Sequence, residues 1–590
     1  MKRLSLLGLL ITGVVHAHSA PHVTRFVASD GVDQGNCDQP QAPCRSFDYV
    51  FAKSSKGDNV KVAQGNYHLR GESRFAVLSG VISVEGGYSR RDAYAQRSAA
   101  NTTFLSGVPA DYATALSRKG FETVQDAKAG DFAPDSAEQK QFAAYRKMTE
   151  KVEGEAACVN GKAGAYACNK MDLLSHIPLG EFSKPAGEAN DIWGFVDKND
   201  NHEYILIGLD VGTAVVDVTD PKHPKEVGTI GGVVNEWRDI AVYQYFDSTT
   251  NRWKSYAYIT SEGVQGLQII DLTSLPNAVK DAGTISTYFT RAHTLYINTD
   301  YAYGTAVNGL TPTLYIAGAN VNGGSWQALD LVDPLLPKQI FQRAGAARSE
   351  YMHDATGMLL TDARVDQCAP GHNPCEILFD YNERSLVIWD TTDKTNPVKL
   401  SDTPYTQVGY THSGWYSKDK MYLFLNDELD ESDFRIPTAL RTFDISNLKA
   451  PTVVAQFNGP THAIDHNTYV VGDYSYISHY RRGVVMMNVK DPVHISEEGY
   501  FDTSAAYSDD SATFHGAWGV YPFLPSGTIA VSDLEGGLYL VKYDAAHGGG
   551  TTPTPTPTPT PSNSDSGGGS TPLLLFVLSG VLGLLRKQLR

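Results

Sequence analysis

Two short stretches of the sequence place a histidine three residues before a tryptophan: YTHSGWY at residues 410–416 and FHGAWGVY at residues 514–521. Similar apolar runs begin with NDIWGF, RDIAVY, HTLYIN, HDATGM and HNTYVV. When these seven starts are aligned, histidine occupies five of the seven equivalent positions, which are Asn190, Arg238, His293, His353, His412, His466 and His515. The steps between them are 48 to 60 residues, so we expect these side chains to form one ring.

A ring of histidines has two chemical uses. Neutral imidazoles bind divalent transition-metal ions, and carboxylates that could complete such a site lie one residue away, at Asp191, Asp239, Asp354 and Asp465. Alternatively, each imidazole bridges neighbouring repeats through hydrogen bonds and only stabilises the fold. The sequence favours the structural use, because buried polar groups are usually satisfied within the protein. A divalent metal ion is the one cofactor that the sequence suggests.

The elements that must position the histidines are short and repeated. Seven times, an apolar or aromatic run ends in a polar residue and a turn follows, as in GTAVVDVTDPKHP and SLVIWDTTDKTNP. The residues that end the runs are 44 to 60 positions apart: Asp217, Asp271, Asp330, Asp390, Asp444, Asn488 and Lys542. A period of about 50 residues built from short strands is typical of propeller blades. The sequence therefore predicts an all-β protein with a seven-bladed β-propeller.

The seventh copy of the repeat, GLYLVKYD, lacks the outer strand that follows the turn in the other copies. Residues 171–182, MDLLSHIPLGEF, have the pattern of such a strand and precede the first blade. A closed ring leaves no exposed sheet edge. We therefore expect this N-terminal strand to complete the last blade.

The net charge of −17 is spread along the 590 residues, which argues against a nucleic-acid partner because phosphate binding needs clustered basic residues. The sequence contains no nucleophile elbow, zinc-protease helix, P-loop or dinucleotide-binding fingerprint. Two acidic runs, residues 197–203 and 426–433 (NDELDESD), have clustered oxygens without the spacing of an EF-hand. We expect both runs to be solvated loops.

Residues 1–17 have a basic start, an apolar run and small residues placed as in a cleavage site. This pattern predicts a signal peptide, removal by signal peptidase and entry into an oxidising compartment. The six cysteines form three close pairs without CxxC spacing, so we expect three local disulfides rather than a metal site: Cys37 with Cys44, Cys158 with Cys168, and Cys368 with Cys375.

The C-terminal end begins with a Thr/Pro/Ser/Gly-rich spacer, residues 546–566, that should be extended. Gly567, Gly568 and Gly569 follow, then an apolar run from Leu573 to Leu585 and a basic end. A helix of that length rises about 20 Å, less than the roughly 30 Å hydrocarbon core.

Residues 567–590 resemble a GlyGly-CTERM sorting tail of Gram-negative bacteria. The resemblance implies a transient inner-membrane helix, processing near the three glycines by a rhombosortase-type protease, and a cell-surface or extracellular product. An ordinary C-terminal membrane anchor is the alternative.

Residues 158–545 contain several long motifs, which include CVNGKAGAYACNKMDLLSHIPL, YTHSGWYSKDKMYLFLNDELDE and GAWGVYPFLPSGTIAVSDLEGGLYLV. On these motifs, the segment resembles the choice-of-anchor B family, extracellular bacterial propellers of LVIVD repeats. The resemblance implies an exported propeller with a variable surface anchor, and it names no ligand. Residues 18–110 are predicted to form a separate small β-rich module similar to the start of a β-helix, and residues 111–157 a helical connector.

Taken together, these features favour an exported, surface-displayed propeller that binds an extracellular protein or glycan without catalysis. The alternative is a metal-dependent hydrolase or lyase that acts at the histidine-lined mouth of the channel. Fold alone cannot separate these two functions. Metal content would separate them.

Overall fold

The computed structural model describes residues 23–124, 136–344 and 347–547. The predicted signal peptide, the predicted sorting tail and the predicted spacer from residue 548 onward lie outside the described residues. Within the described ranges, no helix is both long enough and apolar enough to cross a membrane.

The N-terminal module contains two small parallel sheets. One sheet consists of β1 (Thr24–Val27), β2 (Asn59–Ala63) and β4 (Ser83–Tyr88), and the other of β3 (Gly65–His68), β5 (Thr103–Ser106) and β6 (Phe121–Thr123). Four helices accompany them: α1 (Phe47–Phe51), α2 (Ser73–Leu78), α3 (Ala113–Arg118) and α4 (Ala137–Lys147). Parallel strands in short coils are the arrangement of a β-helix, as the sequence predicted. β6 and the last two helices lie in the stretch assigned to the connector.

Three further strands precede the first blade: β7 (Lys162–Ala163), β8 (Tyr166–Asn169) and β9 (Met171–Ile177). From the channel outward, blade 1 contains β10 (Ala189–Val196), β11 (Glu203–Leu209), β12 (Gly212–Asp217) and β13 (Lys225–Gly231). Blade 2 contains β14 (Arg238–Asp247), β15 (Arg252–Ser261), β16 (Leu267–Asp271) and β17 (Lys280–Ile285). Blade 3 contains β18 (Thr294–Ile297), β19 (Thr313–Ala317), β20 (Gln327–Asp330) and β21 (Lys338–Gln342).

Blades 4 to 7 follow the same order. Blade 4 contains β22 (Asp354–Leu360), β23 (Cys375–Tyr381), β24 (Leu386–Asp390) and β25 (Val398–Thr403). Blade 5 contains β26 (Thr411–Tyr416), β27 (Tyr422–Asp427), β28 (Ala439–Asp444) and β29 (Thr452–Asn458), with helix α5 (Asp430–Phe434) after β27. Blade 6 contains β30 (Thr468–Val471), β31 (Tyr474–His479), β32 (Gly483–Asn488) and β33 (Ser496–Phe501), and blade 7 contains β34 (Ala517–Tyr521), β35 (Thr528–Asp533) and β36 (Gly537–Tyr543). The predicted seven-bladed propeller is confirmed.

Blade 7 takes its fourth strand from the N-terminal side of the propeller, as predicted. β9 pairs antiparallel with β36, so that Met171 lies opposite Tyr543 and Ile177 opposite Leu538. The strand ends at Ile177 rather than continuing to residue 182. The next residue is Pro178, which has no N–H to donate to a sheet. The three predicted disulfides are also present.

The module and the propeller share one hydrophobic core. This core joins Phe75 and Tyr145 of the N-terminal part to Tyr507 and Trp518 of blades 6 and 7. The ring of Phe75 lies 5.0 Å from that of Tyr145 and 5.5 Å from that of Tyr507, centroid to centroid. The module is therefore packed on the propeller rather than loosely tethered to it.

Candidate metal centre

Four of the predicted histidines form a continuous row at the channel mouth. Their ring centroids are 4.5 Å apart between His293 and His353, 4.2 Å between His353 and His412, and 4.1 Å between His412 and His466. Each lies at or just before the start of an innermost strand, from β18 in blade 3 to β30 in blade 6. All four side chains are buried. The repeat therefore brings these imidazoles together from four consecutive blades.

The other three equivalent positions do not join the row. His515 faces the Tyr507 ring at 5.4 Å, and its Nδ1 lies 3.3 Å from Oε1 of Glu535. The backbone turns here because Gly516 has a φ of +102°, where a Cβ would clash with the carbonyl of Tyr480. Arg238 donates to the carbonyl of Leu209 at 2.9 Å and joins blades 1 and 2, while Asn190 is buried beside Gly208.

Three of the neighbouring carboxylates line a small cavity inside the channel, and they are not close enough to serve as ligands of one ion with the histidines. The cavity holds about 60 Å³, enough for water molecules. Burial raises the pKa of Asp191 and of Asp354 to about 7, and raises that of Asp239 well above its usual value. The fourth carboxylate, Asp465, lies away from this cavity, against the amide of Asn426.

Glu428 supplies a carboxylate that the sequence analysis missed. Its Oε2 lies 3.6 Å from Nε2 of His412, and its Oε1 lies 3.6 Å from Nε2 of His466. Both distances are longer than a hydrogen bond between nitrogen and oxygen. They are close to the roughly 3.3 Å between ligands of a tetrahedral ion with bonds of about 2.0 Å. One donor atom from each residue lies within 4.8 Å of the others, so the three buried side chains could hold a divalent transition-metal ion.

Hydrogen bonds to backbone carbonyls orient two of the imidazoles. Nδ1 of His466 donates to the carbonyl of Trp518 at 2.6 Å, and Nδ1 of His353 donates to that of His412 at 3.1 Å. A carbonyl only accepts, so each neutral ring carries its proton on Nδ1 and keeps its lone pair on Nε2. Metal-binding histidines are commonly oriented in this way. The same bonds join neighbouring blades, so this arrangement is compatible with both uses expected from the sequence.

The other end of the row is arranged differently. Nε2 of His293 lies 2.8 Å from Nε2 of His353, and Nδ1 of His293 lies 2.5 Å from Oε1 of Glu262. The two Nε2 atoms therefore form a hydrogen bond with each other and do not point toward a common position that an ion could occupy. The geometry places the candidate metal ion between His412 and His466, where the hydroxyl of Tyr480 also donates to Glu428 at 2.7 Å.

A glutamate after the second strand of a blade is the signal that could have revealed these carboxylates. Four blades have one within two residues of the strand end: Glu262, Glu383, Glu428 and Glu535. The second strand runs toward the channel mouth where the histidines lie. Glutamates placed there come within reach of the row.

The prediction that NDELDESD is a solvated loop is wrong for most of the run. Asn426, Asp427, Glu428 and Asp430 are each 0% exposed and Glu431 is 2% exposed. The run ends β27 at the channel mouth and turns beneath the N-terminal module. Only its last residues, Ser432 and Asp433, reach solvent.

Lys56 of the N-terminal module covers the histidine row. Its side chain is completely buried, with Nζ 3.5 Å from Oε1 of Glu188 and 3.3 Å from the centre of the Trp518 ring. That ring is 4.6 Å from the ring of His466. Burial lowers the pKa of Lys56 and raises that of Glu188 to about 8. In this structure, the loop before β2 closes the mouth above the candidate metal centre.

A cleft of about 560 Å³ lies beside Lys56, between the module and the propeller. Phe51 and Phe514 contribute rings to its lining, and Lys53 and Arg481 contribute cations. Carboxylates also line it, at Asp48, Asp58, Glu72 and Asp433. Nε of Arg481 donates to Oγ1 of Thr513 at 2.7 Å, and its Nη2 lies 3.2 Å from Oε2 of Glu72. Its Nη1 is buried and has no hydrogen-bond partner among the described residues.

The chain matches no protein-family model and no curated protein. Many solved structures are similar to parts of it, three of which are as follows. A functionally unknown protein from Desulfotomaculum acetoxidans is 11% identical over 59% of this chain and 96% of its own, with a TM-score of 0.37. A hypothetical selenium-binding protein from Sulfolobus tokodaii is 11% identical, over 61% and 94%, with a TM-score of 0.36. Sqt1 of Saccharomyces cerevisiae is 10% identical, over 66% and 99%, with a TM-score of 0.38.

Proposed function

We propose that the protein is an exported, surface-displayed β-propeller that binds a carboxylated glycan in the cleft between its N-terminal module and the propeller. The observation that carries this proposal is Nη1 of Arg481, which is buried at the cleft and has no hydrogen-bond partner in the part of the chain that the structure describes. Because Nε and Nη2 already contact Thr513 and Glu72, Nη1 offers one charged hydrogen bond to a carboxylate. The three disulfides and the predicted signal peptide support export.

The shape of the cleft favours a glycan over a protein partner. Stable protein interfaces bury about 800 Å² on each partner, usually over a broad surface. A concave cleft of about 560 Å³ instead has the size of a small-molecule site. Phe51 and Phe514 offer apolar surface to a sugar ring, and Lys53 adds a second positive charge.

Calorimetric titration with uronic-acid oligosaccharides, compared with neutral glucose oligosaccharides, tests this function. We expect the uronic acids to bind and the neutral sugars to bind at least about tenfold more weakly. Arg481→Met removes a charged hydrogen bond worth about 1.5–3 kcal/mol, so affinity should fall by about 10- to 100-fold. Arg252→Met, at an exposed arginine outside the cleft, is the matched control. Because Arg481 also pairs with Glu72, the exposed Lys53→Met provides a second variant. Equal binding of both sugar classes, or of neither, would contradict the proposal.

Metal-dependent hydrolysis or lyase chemistry is the second candidate function, and the His412, Glu428 and His466 geometry favours it. Two histidines and one glutamate leave further positions around an ion for water or substrate, as in catalytic zinc sites. A substrate would have to displace Lys56, because the cavity beneath the row holds only about 60 Å³.

Melting temperatures of the wild type and of His412→Ala, each with and without a chelator selective for transition-metal ions, test the metal centre. If an ion binds there, chelator should lower the melting temperature of the wild type and leave that of the variant unchanged. If the histidines only bridge blades, the substitution should cost about 1–3 kcal/mol with or without chelator. A wild type insensitive to chelator would contradict the metal centre and the enzyme function that depends on it.

A further inference from the structure

A second group of buried oxygens lies beside Glu428. Asn426 is the last residue but one of β27, Asp430 and Glu431 begin α5, and Asp465 precedes β30 in the next blade. The exposed fractions of these four residues are 0%, 0%, 2% and 0%, respectively. Nδ2 of Asn426 donates to Oδ2 of Asp465, which joins blades 5 and 6 at this point.

The charges of this group are not balanced. The buried cation is Arg441, whose Nη2 lies 2.7 Å from Oδ2 of Asp430. Between described residues, no ion pair reaches Glu431 or Asp465. Burying a carboxylate without a partner costs far more than an ordinary hydrogen bond contributes, so buried carboxylates are normally paired, protonated or bound to a metal.

Five oxygens of the group also lack a hydrogen-bond donor within the described part of the chain. Asp430 Oδ1, both carboxylate oxygens of Glu431, Asp465 Oδ1 and the amide oxygen of Asn426 have no hydrogen-bond partner among the described residues. The amide oxygen of Asn426 is independent evidence for a ligand, because it belongs to a neutral side chain and its low occupancy of partners does not depend on the charge of the carboxylates. A fully buried amide oxygen normally accepts a hydrogen bond or binds a cation. Oxygen-only donor sets of this kind suit hard cations.

We propose that Asn426, Asp430, Glu431 and Asp465 bind a calcium ion that is distinct from the ion between His412 and His466. Calcium fits better than magnesium, because it accepts six to eight oxygens in irregular geometry, whereas magnesium requires a near-ideal octahedron. Calcium also fits better than the ions that histidine selects, because the group contains no imidazole. A calcium ion here fixes the start of α5, and with it the position of Glu428 two residues earlier.

Protonation of the carboxyl groups is the competing account. Burial, together with the charges of Asp465 and Asp430, raises the pKa of Glu431 well above its usual value. The two accounts predict opposite effects of Glu431→Gln. A glutamine resembles a protonated glutamate, so it should leave a proton-filled cluster as stable as before, or stabilise it. If calcium is bound, the same substitution removes a charged ligand.

The experiment uses the exported full-length protein after treatment with a calcium-selective chelator, with calcium chloride as the probe. We expect about one calcium per chain by elemental analysis before treatment, a lower melting temperature after it, and recovery when calcium is added. Glu431→Gln and Asp465→Asn should each lower calcium affinity at least tenfold and lower the melting temperature in calcium. Asp281→Asn removes one exposed charge from blade 2 and should change neither quantity.

Two outcomes would overturn the proposal: a wild type that holds no calcium and gains no stability from it, or a calcium response that Asp281→Asn reduces as much as Glu431→Gln does. Calcium content of the wild type decides the question even if a variant fails to fold. His412→Ala separates this site from the histidine centre, because it should lose the transition metal and keep its calcium response.

Discussion

At the scale of single residues, one buried polar side chain can both join neighbouring blades and contribute to a candidate site. Nδ1 of His466 joins blade 6 to blade 7, and Nε2 of the same ring faces Glu428. Asp380 shows the cost of burying a carboxyl group. Its Oδ2 accepts a hydrogen bond from Nε1 of Trp389 at 3.0 Å, whereas its Oδ1 has no partner among the described residues.

Asp380→Asn should make the protein less sensitive to pH. Burial raises the pKa of Asp380 to about 7, so the folded protein keeps a proton that the unfolded chain releases near pH 4. By linkage, the contribution of Asp380 to the free energy of unfolding is complete below about pH 4 and falls as pH rises toward about 7. The variant should therefore gain stability relative to the wild type with rising pH, by at most about 4 kcal/mol.

Urea denaturation of both proteins at about pH 5 and about pH 8 measures this difference. The exposed Asp281→Asn should track the wild type at both values. A difference between Asp380→Asn and the wild type that stays constant with pH would show that the folded carboxyl group is ionised throughout.

At the scale of elements, the closing strand β9 joins the two ends of the propeller. It pairs with β36 on one side, and on the other its residues form bridges with Val152 and Ala156 of the preceding segment. Leu174 of this strand is 3% exposed and packs in the core between blades 7 and 1. The seal of the ring depends on this packing as well as on backbone pairing.

Leu174→Ala should lower the free energy of unfolding by about 2–5 kcal/mol, through lost burial and the cavity left behind. Because β9 closes the ring, the whole propeller should unfold at a lower denaturant concentration in one transition. Val453→Ala, in the exposed outer strand of blade 5, should change stability by no more than about 0.5 kcal/mol. Equal effects of the two substitutions would mean that β9 contributes little to closure.

At the scale of the whole molecule, the N-terminal module acts as a cover for the channel mouth. Its core is continuous with that of blades 6 and 7, and its Lys56 lies over Trp518. The chain thus carries a propeller, a cover and a predicted surface-sorting tail in one polypeptide. The cleft that we propose to bind glycan is formed by the propeller and the N-terminal module together.

Removal of residues 23–157 should destabilise the propeller rather than leave it unchanged. The deletion uncovers Tyr507 and Trp518 and opens the histidine row to solvent. We expect a lower melting temperature and stronger binding of a hydrophobic dye than in the full chain. A truncated protein that melts at the full-length temperature would show that the two parts are energetically independent.

Mass spectrometry of surface-associated protein tests the predicted sorting tail. Processing near Gly567 to Gly569 should remove the peptide STPLLLFVLSGVLGLLRK, residues 570–587, from the mature product. Substituting the three glycines with alanine should leave that peptide attached. Finding it intact on mature wild-type protein would favour the ordinary membrane anchor.

The sequence by itself determined the seven blades, the strand that closes the ring and the three disulfides. Each depends on a pattern visible along the chain: the repeat that ends in Asp217 and its equivalents, the missing outer strand of the last copy, and cysteines 7 to 10 residues apart. Only the tertiary structure decided which of these residues meet. Glu428 reaches His412 and His466 because strands from two blades end at the same mouth, and His515 leaves the row because of the backbone at Gly516. Lys56 comes from a different module altogether. Periodicity records local structure, whereas these contacts depend on how blades and loops distant in sequence pack against one another, and no local pattern carries that information.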